Sequence, residues 1–551
     1  MFRKTDGQAS MFEAQHIMPA AKRKRLTKTW AHWINTRLLP AIDEEPFREH
    51  FGTTGRPNKS VKVLLVLLVL QHIDDLTDTQ VIEHFEFNLL WHHATGVEPA
   101  DAHVCQKTLH NFRVLLMRTG LMERVFADLV RLLAEANDIK LTRQRLDSTH
   151  ITSNIAIRTR LGLFVETIEH FLRELKRRAP DELDAIEEAI RARYIDREGY
   201  FADAKSADSR RRLDVAAQDL AALVARFESH GEVIGWESFG LMQRLLAEQC
   251  IVADGEPVEL KPPTAISPDS LQSPHDPDAT YGRGGKGYRG QLAETCHPDN
   301  PFELVTGVEL TAAHTSDQTQ ALPMLDKLEQ DGVAPDELFA DQGYGCGANI
   351  VDSARMGIEL VCPVADPNGP PKVDRWLGAN ASDVTIGEPS EACHATLADF
   401  RTTKRYDAII ACPAGHAPVE RRQKRGRLYA RFDARACDGC PFAETCPARR
   451  LREGGRSISR KAKAFATAHR QRAQRTVAFK EIYRIRSGVE SLVAESKGRH
   501  GLARPRVRGR PRNRLRLFLV AAAINVKRAC AHFVRRLVGV NGEGERLPAA
   551  A

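Results

Sequence analysis

The chain has 551 residues, an apolar fraction of 42% and a formal net charge of +8. This length predicts two to four domains, and the longest uninterrupted apolar run, Val63–Leu70, is too short to span a bilayer. The N-terminal residues lack the apolar segment of a signal peptide, so we expect a cytoplasmic protein without a membrane partner, whose eleven cysteines are thiols or metal ligands.

The net charge is unevenly distributed. Residues 451–551 hold 25 Lys and Arg against 6 Asp and Glu, whereas residues 1–450 hold 55 against 66. A basic C-terminal fifth on an acidic body predicts a polyanion-binding surface. A basic disordered tail is the alternative, but the apolar content of residues 515–533 favours a packed helix there.

The N-terminal part of the chain has the pattern of a leader followed by short helices. Residues 1–25 are polar and basic, which predicts disorder. Residues 26–130 predict an all-α domain that serves either DNA binding or dimerisation. Within it, Thr77 and Gln80 form a capping-box pattern that opens a helix through Phe87, and residues 101–118 predict a further helix.

Strand and helix signals alternate after this domain. Residues 140–151 predict a first strand that ends near Asp147, and residues 288–296 and 302–310 predict a hairpin. Helical periodicity fills an insert at residues 160–250. The remaining predicted elements of the core are a helix at 317–331, a strand at 337–341, a helix at 347–356 and a strand at 358–364.

Without its inserts, this order is that of a ribonuclease-H-like α/β fold, a mixed five-stranded sheet with helices on both faces. The right-handed crossover rule places the first strand beside the strand 337–341. We expect a catalytic core over residues 135–369 that resumes at 481–540. Between them lies a basic, irregular, cysteine-bearing insert at 370–480, and residues 541–551 are predicted to be a disordered tail.

The segment YRIRSGVESLVAESK (483–497) predicts one continuous amphipathic helix. At about 100° per residue, four polar residues fall in one strip beside an apolar face that includes Ile482. They are Tyr483, Arg486, Glu490 and Lys497. The simplest interpretation is an Arg486–Glu490 ion pair at i,i+4 on a solvated face.

Three carboxylates give this strip a second interpretation. Asp147 and Asp341 each follow a predicted strand, and Glu490 lies on a helix expected to cross the same edge of the sheet, where open α/β sheets keep their chemistry. Converging carboxylates are costly to bury without cations. The pattern therefore predicts two Mg²⁺ ions, with Mn²⁺ as a substitute, in a site for in-line displacement at phosphorus. The phosphates would be met by Tyr483, Arg486 and Lys497.

These residues resemble those of the DDE transposases of bacterial insertion sequences, in the subgroup with the Y-x2-R-x3-E-x6-K signature. The 483–497 segment matches that signature at every spacing, and LDSTHI and FADQGYG look like the two acidic motifs. Residues 55–96 and 273–296 resemble the N-terminal domain and the lead-in to the second strand. The resemblance implies that Asp147, Asp341 and Glu490 are the catalytic, metal-binding triad.

The resemblance also implies a function. It implies a transposase that binds the terminal inverted repeats of double-stranded DNA, cleaves at the element ends and joins 3′-hydroxyls to target DNA. It implies a homodimer in a paired-end complex, associated with the bacterial nucleoid. Two alternatives remain: a binding-only relative, inactivated or zinc-bearing, and a ribonuclease-H-like nuclease without a joining step. Better-known relatives carry a β-rich insert before the Glu, where this chain is expected to hold cysteines instead.

Four cysteines and one arginine-rich turn complete the candidate residues. Cys412, Cys437, Cys440 and Cys446 have spacings that suit a structural Zn²⁺, which would fold the insert. The alternatives are four metal-free thiols, or His416 as a competing ligand. Arg508 and Arg510 lie in an Arg-Gly-Arg-Pro-Arg turn that has the core of a minor-groove hook, although non-specific phosphate contact is the simpler expectation.

Overall fold

The computed structural model of the chain describes residues 1–4, 18–155, 159–195, 206–253, 256–366 and 395–538. The predicted tail at 541–551 lies outside the described residues. So do residues 5–17 of the predicted leader and residues 370–394 of the predicted cysteine-bearing insert.

Eight α-helices lie in the described residues of the N-terminal part. They are α1 (Ala20–Leu26), α2 (Trp30–Trp33), α3 (Leu39–Ala41), α4 (Val61–Ile73), α5 (Asp78–Phe87), α6 (Leu89–Thr95), α7 (Gln106–Thr119) and α8 (Leu121–Ala136). The predicted capping box is confirmed, because the Thr77 hydroxyl accepts from the Gln80 N–H and the Gln80 side chain accepts from the Thr77 N–H. The disorder predicted for the leader is wrong where α1 forms.

The start predicted for the helix at 101–118 is also wrong. A turn in which the Asp101 N–H donates to the Glu98 carbonyl at 2.9 Å ends at the first residue of that range. The backbone is still extended at Cys105, so α7 begins only at Gln106. Polar residues that cap a turn compete with helix initiation, and the apolar spacing of the range does not show this.

The central sheet contains six strands: β1 (Arg143–Thr152), β4 (Thr280–Gly282), β5 (Gly285–Thr295), β6 (Val305–Ala312), β7 (Glu337–Ala340) and β8 (Glu359–Val361). A separate two-stranded ribbon consists of β2 (Cys250–Ile251) and β3 (Glu259–Leu260). The sheet order is β6-β5-β1-β7-β8, with the short β4 also paired to β5. β1 is antiparallel to β5 and parallel to β7, and β7 is parallel to β8. This mixed sheet is consistent with the predicted ribonuclease-H-like fold.

The first strand is longer than the sequence predicts. Its antiparallel pairing with β5 continues to Thr152, five residues beyond Asp147. On its other side the parallel pairing with β7 stops at Leu146, opposite Ala340. Asp147 therefore does not end β1. It lies at the point where one of the two neighbouring strands ends, because only one edge of β1 loses its partner there.

Helices cover both faces of the sheet. On one face lie α14 (Ala321–Gln330), α15 (Gly347–Met356), as predicted, and parts of the N-terminal bundle. On the other, Phe339 and Val361 pack against Phe479 and Ile485. The helical insert has an apolar core of its own. Its helices are α9 (Arg160–Arg178), α10 (Pro180–Asp184), α11 (Glu188–Tyr194), α12 (Ser206–Phe227) and α13 (Glu237–Gln249).

The cysteine-bearing insert is β-rich over residues 395–480, which corrects the prediction that it is irregular. Its elements are β9 (Arg401–Thr402), β10 (Ile409–Ala411), β11 (Glu420–Lys424), β12 (Arg427–Phe432), α16 (Ala434–Cys437), β13 (Arg449–Arg450), β14 (Arg456–Lys461) and α17 (Ala462–Ala473). Four of the strands form an antiparallel sheet in the order β11-β12-β14-β13. In β12, buried Leu428, Ala430 and Phe432 alternate with arginines and Tyr429. The expected contrast with the β-rich insert of better-known relatives is therefore wrong.

The predicted continuous helix at 483–497 is broken. The structure has α18 (Val477–Tyr483), a 3₁₀ segment over Arg484–Gly488 and α19 (Val489–Gly498). Ile482, predicted to be buried, is 52% exposed. The carbonyl of Ile485 accepts a hydrogen bond at 3.0 Å from the buried Arg145 guanidinium. A glycine in the segment also weakens α-helical propensity, so the chain tightens here before α19 begins.

A 29-residue helix, α20 (Arg510–Val538), joins the parts of the fold. By length and composition it is the one helix, within the ranges described, that would suffice to cross a membrane, but 67% of its apolar window is buried inside the protein. It packs against α4, α8 and β6. The Asn525 side chain accepts from the Val305 N–H at 2.7 Å and donates to the Val305 carbonyl at 2.8 Å, which fixes α20 to the start of β6.

We expect Asn525→Ala to lower the free energy of unfolding by about 2–4 kcal/mol, because it leaves a buried backbone donor and acceptor without partners. Urea unfolding of the full chain would measure this. Arg536→Ala, at an exposed position of the same helix, is the control and should change stability by less than about 0.5 kcal/mol. Equal effects of the two substitutions would contradict the role assigned to Asn525.

Candidate active site

The two aspartates of the predicted triad are neighbours across parallel strands. Because Leu146 is paired with Ala340, the next residue of each chain segment, Asp147 and Asp341, continues from strands about 4.8 Å apart. Asp341 begins the turn that follows β7, and its side chain accepts from the Gly343 N–H at 2.8 Å. The long-range arrangement thus follows from strand register alone.

The third carboxylate is connected to the first by one guanidinium group. Arg486 donates to Asp147 Oδ2 at 2.6 Å and to Glu490 Oε1 at 3.2 Å. The Asp147 side chain is 12% exposed and that of Glu490 is 66% exposed. The i,i+4 ion pair of the simplest interpretation therefore exists, but it also reaches a buried carboxylate 339 residues away.

The Asp147 carboxyl is short of positive charge. Its pKa is raised to about 6, chiefly by burial and also by the nearby carboxylates of Asp341 and Glu490. The Arg486 guanidinium and the Ser148 N–H oppose this rise without cancelling it. A carboxylate in this position favours an additional cation. The donor set, three carboxylates of graded exposure, therefore fits a hard divalent ion such as Mg²⁺.

The site is not arranged around a metal in its present conformation. Within the described ranges, no three His, Cys, Asp or Glu side chains stand at metal-binding geometry. Arg486 donates to two of the three carboxylates that a metal would require. One further donor of Arg486, Nε, is buried without a hydrogen-bond partner, which is costly.

Tyr483 and Lys497 differ in their contacts with the rest of the protein. Tyr483 donates to the Ala340 carbonyl at 3.1 Å, stacks on Phe479, and has a pKa raised by burial to about 12. It thus holds the end of β7. Lys497 is half-buried on α19, and its charge contributes to lowering the pKa of His150. No described carboxylate lies within ion-pair distance of Lys497.

The arginine-rich turn at the start of α20 is held by hydrogen bonds to other parts of the protein. Arg508 donates to the Asn154 carbonyl at 2.6 Å, and Arg510 donates to the Leu310 carbonyl at 3.3 Å. Between them Gly509 has a φ of 86°, and its N–H donates to the buried Asp276. The structure does not bring either arginine into hydrogen-bond contact with the three carboxylates.

A buried ionic cluster beneath the site was not predicted from the sequence. Glu294, whose side chain is 1% exposed, accepts from Arg145 at 2.8 Å and from Arg528 at 3.0 Å. Arg528 also donates to Glu495 on α19 at 3.0 Å. A glutamate between apolar residues of a strand was the one available signal, and it does not identify partners 149 and 234 residues away.

The four cysteines of the insert do meet. Cys412, Cys437, Cys440 and Cys446 line one small cavity of about 20 Å³. The competing ligand considered from the sequence, His416, is exposed and does not line it. The structure thus separates this set from the other cysteines that it describes.

Two family models match the chain. The model described as "Transposase DDE domain" matches residues 411–530, and the model described as "Transposase domain (DUF772)" matches residues 27–115. Together they indicate a transposase of an insertion element. The first match contains Arg486, Glu490 and the four cysteines, whereas Asp147 and Asp341 lie outside both matches. Transposase DDE domains generally use divalent metals.

Individual relatives add little to this. An uncharacterised protein, ORF8 in the nfe locus of Rhizobium meliloti, is 28% identical to the chain over 149 residues, which is 26% of this chain and 72% of that protein. No solved structure matches the chain. The similarity to transposases therefore rests on the two family models, and the inference about chemistry rests on the geometry around Asp147.

We expect Asp147→Asn to raise the free energy of unfolding by about 1–3 kcal/mol at pH 7.5 in chelator, since it removes a buried carboxylate whose pKa of about 6 exceeds its ordinary value of 3.8. The folded wild type binds the proton more tightly than the unfolded chain. The stabilisation that this proton gives the folded wild type is therefore complete below about pH 4 and is lost as the pH rises through about 6.

Urea unfolding from pH 4 to 8 would measure the difference in free energy of unfolding between Asp147→Asn and the wild type. This difference should grow between about pH 4 and 6 and level off above that range. Adding Mg²⁺ at pH 7.5 should stabilise the wild type but not Asp147→Asn. A variant less stable than the wild type at every pH would refute the assigned charge deficit.

We expect Gly488→Ala to destabilise the protein by about 1–3 kcal/mol, because an added methyl would meet the guanidinium of Arg145, which the buried Glu294 holds in place. Gly498→Ala, at the end of α19 with open space around its Cα, is the matched control. It should be neutral or stabilising by up to about 1 kcal/mol. Calorimetry of both variants tests whether the 3₁₀ segment is fixed by close packing.

Proposed function

We propose that the protein is the DNA transposase of an insertion sequence, which binds terminal inverted repeats, cleaves at the element ends and joins the 3′-hydroxyls to target DNA. The observation that supports this proposal is that Asp147 and Asp341 follow paired residues of two parallel strands and that Arg486 connects Asp147 to Glu490, in a chain with two transposase-domain matches. The three carboxylates come from two parallel strands and a helix, which is the arrangement that the family resemblance implies.

In this proposal Asp147, Asp341 and Glu490 hold two Mg²⁺ ions, with Mn²⁺ as a substitute. Such ions activate the attacking oxygen and stabilise the leaving oxygen of an in-line displacement at phosphorus. The raised pKa of Asp147 supports the proposal, because the protein leaves this carboxylate under-compensated by its own cations. Asp147 also comes from a strand fixed on both sides up to Leu146, so its position is rigid.

Arg486 and Lys497 would bind the DNA backbone beside the carboxylates. Arg486 has a buried Nε without a partner, and guanidinium groups bind phosphate oxygens with two parallel hydrogen bonds. Lys497 has no ion-pair partner in the described part of the chain. Tyr483 already donates to the Ala340 carbonyl, so its proposed role is to fix the end of β7 next to Asp341.

Binding to DNA would come from a wider surface than the site. The exposed members among the 25 Lys and Arg of residues 451–551 would supply phosphate contacts that do not depend on base sequence. A homodimer on paired ends, in the bacterial cytoplasm at the nucleoid, completes the proposal. A binding-only relative lacks a working triad, and a simple nuclease cleaves without joining. Both differ from a transposase in measurable products.

Glu490→Gln separates chemistry from binding. It keeps the size and reach of the side chain but removes a charge from the metal site, so we expect cleavage and joining to fall about 100-fold or more. Affinity for end-sequence DNA should stay within about 2-fold, since it depends on distributed Lys and Arg contacts. Glu481→Gln, at an exposed carboxylate on α18, is the control and should keep wild-type activity.

Joining of pre-cleaved ends to a target plasmid, with cleavage of intact ends measured in parallel, identifies the reaction class. A transposase performs both reactions, a nuclease performs only the second, and a binding-only protein performs neither. Full cleavage by Glu490→Gln would show that Arg486 and Glu490 form only an ion pair on the helix surface.

Arg486→Ala should lower both activity and affinity, because it removes a cation that faces the phosphate. The slope of log affinity against log salt should become shallower by about 1. Arg484→Ala, at an exposed neighbour in the same 3₁₀ segment, makes the same charge change and should leave cleavage unaltered. Arg486→Lys keeps a charge next to Asp147 and gives a folded comparison if the alanine variant is unstable.

A further inference from the structure

The insert contains a small cavity that all four clustered cysteines line. Cys412 comes from the loop after β10, Cys437 and Cys440 from the end of α16 and the turn after it, and Cys446 from the loop before β13. The cavity of about 20 Å³ has room for one water-sized or ion-sized occupant. Phe400 and Phe432 close it on other sides. Four thiols from three separate loops therefore face one apolar, single-ion space.

Two of the three loops have backbone turns that present cysteine side chains. In Cys412–Gly415 the Gly415 N–H donates to the Cys412 carbonyl at 2.8 Å, and Gly415 has a φ of 86°. In Cys437–Cys440 the Cys440 N–H donates to the Cys437 carbonyl, and Gly439 has a φ of 68°. Gly415 lies three residues after Cys412 and Gly439 immediately precedes Cys440, so a left-handed glycine lets the chain reverse close to the cysteines of each turn. The cysteines of both turns line the same cavity.

A half-buried positive charge, that of Arg456, stands beside the four thiols. Arg456 lines the cavity and donates to the carbonyls of Ala443, of Cys446 and, at 3.0 Å, of Ala448. It therefore fixes the loop that carries Cys446. A zinc ion with four thiolates has a net charge of −2, and an adjacent guanidinium offsets part of it. Hydrogen-bonded partners of this kind orient the ligands of structural zinc sites.

We propose that Cys412, Cys437, Cys440 and Cys446 bind one structural Zn²⁺ ion, which holds the insert together independently of the catalytic chemistry. The four thiols release their protons to solvent as four sulfur–zinc bonds form and the ion loses its water ligands. The side chains move toward the centre of the cavity to reach bonding distance, since the described thiols do not yet stand at metal-binding geometry.

The insert needs such a constraint. Its four-stranded sheet runs over residues 420–461, which carry 13 Lys and Arg against 5 Asp and Glu. β11 is exposed at four of its five positions, and the buried apolar side chains of β12 and β14 are Leu428, Ala430, Phe432 and Ile458. Small domains with few buried side chains and much like charge require a metal or another cross-link. The ion thus supplies folding free energy that the sheet lacks.

The metal content of full-length protein, purified under reducing conditions without added zinc, tests the proposal. We expect one zinc per chain by mass spectrometry, and four fewer titratable thiols in the native protein than in the same native protein after a chelator has removed the zinc. Replacement by Co²⁺ should give sulfur-to-cobalt charge-transfer bands and the d–d bands of a tetrahedral site. Zinc well below one per chain, together with four freely titrating thiols and no cobalt bands, would overturn the proposal.

Variants identify the ligands. Cys440→Ser should weaken zinc binding about 10-fold or more and increase proteolysis within the insert, whereas Cys440→His should retain tetrahedral cobalt bands with altered charge transfer. Cys105→Ser changes an exposed cysteine outside the cluster, and His416→Ala removes the exposed histidine nearby; both should keep one zinc per chain. Loss of zinc in His416→Ala would replace the proposed ligand set.

These measurements do not involve DNA, so their failure is distinguishable from failure of the proposed transposase activity. One zinc per chain without DNA cleavage would support the zinc site and contradict the proposed transposase activity. A protein that cleaves and joins DNA without zinc would do the reverse.

Discussion

The buried carboxylate of Glu294 is the constraint on which the site depends. Arg145 of β1 and Arg528 of α20 both donate to it, and each guanidinium also donates elsewhere: Arg145 to the Ile485 carbonyl and Arg528 to Glu495. Two strands, the long helix, the 3₁₀ segment and α19 therefore meet at one charge. Such a cluster is costly to desolvate, and removing one member leaves an uncompensated buried charge that destabilises by about 3–5 kcal/mol. Its value here is positional, because it sets where Glu490 lies.

Two separate sets of contacts thus fix the positions of the three carboxylates. The sheet fixes Asp147 and Asp341 through strand register, and the ionic cluster fixes α19 against the sheet. Separations of 194 and 149 positions along the chain between the three residues are bridged in this way without any direct bond between carboxylates. Arg486 then joins two of them, so the two carboxylates are held by a side chain that other partners can displace without disturbing the scaffold.

Much of the arrangement follows from sequence patterns that are local. The helix Gly347–Met356 and the capping box at Thr77 depend on neighbouring residues and are confirmed. The pairing of the first strand with the predicted strand 337–341, which is β7 in the structure, follows from the crossover rule and is also confirmed. The end of β1 could not be predicted, because pairing with β5 continues where pairing with β7 stops. That difference depends on partner strands, not on the residues near Asp147.

Other features were missed because their causes are far apart in the chain or hidden by composition. The break at Arg484–Gly488 depends on Arg145, some 340 positions away. The strands of the insert carry arginines on one face and few apolar residues on the other, so their alternation is weak. Tyr483 has the spacing of a phosphate ligand, yet its hydroxyl reaches a strand carbonyl first. Helical spacing defines a face, but it does not say what lies opposite.

The packing of α20 also constrains the order in which the molecule can be completed during synthesis. Helix α4 and strand β6 both pack on α20, and Asn525 satisfies backbone groups of Val305 that lie 220 positions earlier. Domains generally fold as they emerge from the ribosome, but this core stays open until residues 510–538 have been translated and have left the exit tunnel. The carboxylates of the site are consequently assembled only on chains whose translation has passed α20, and fragments that stop before it have no finished core to present.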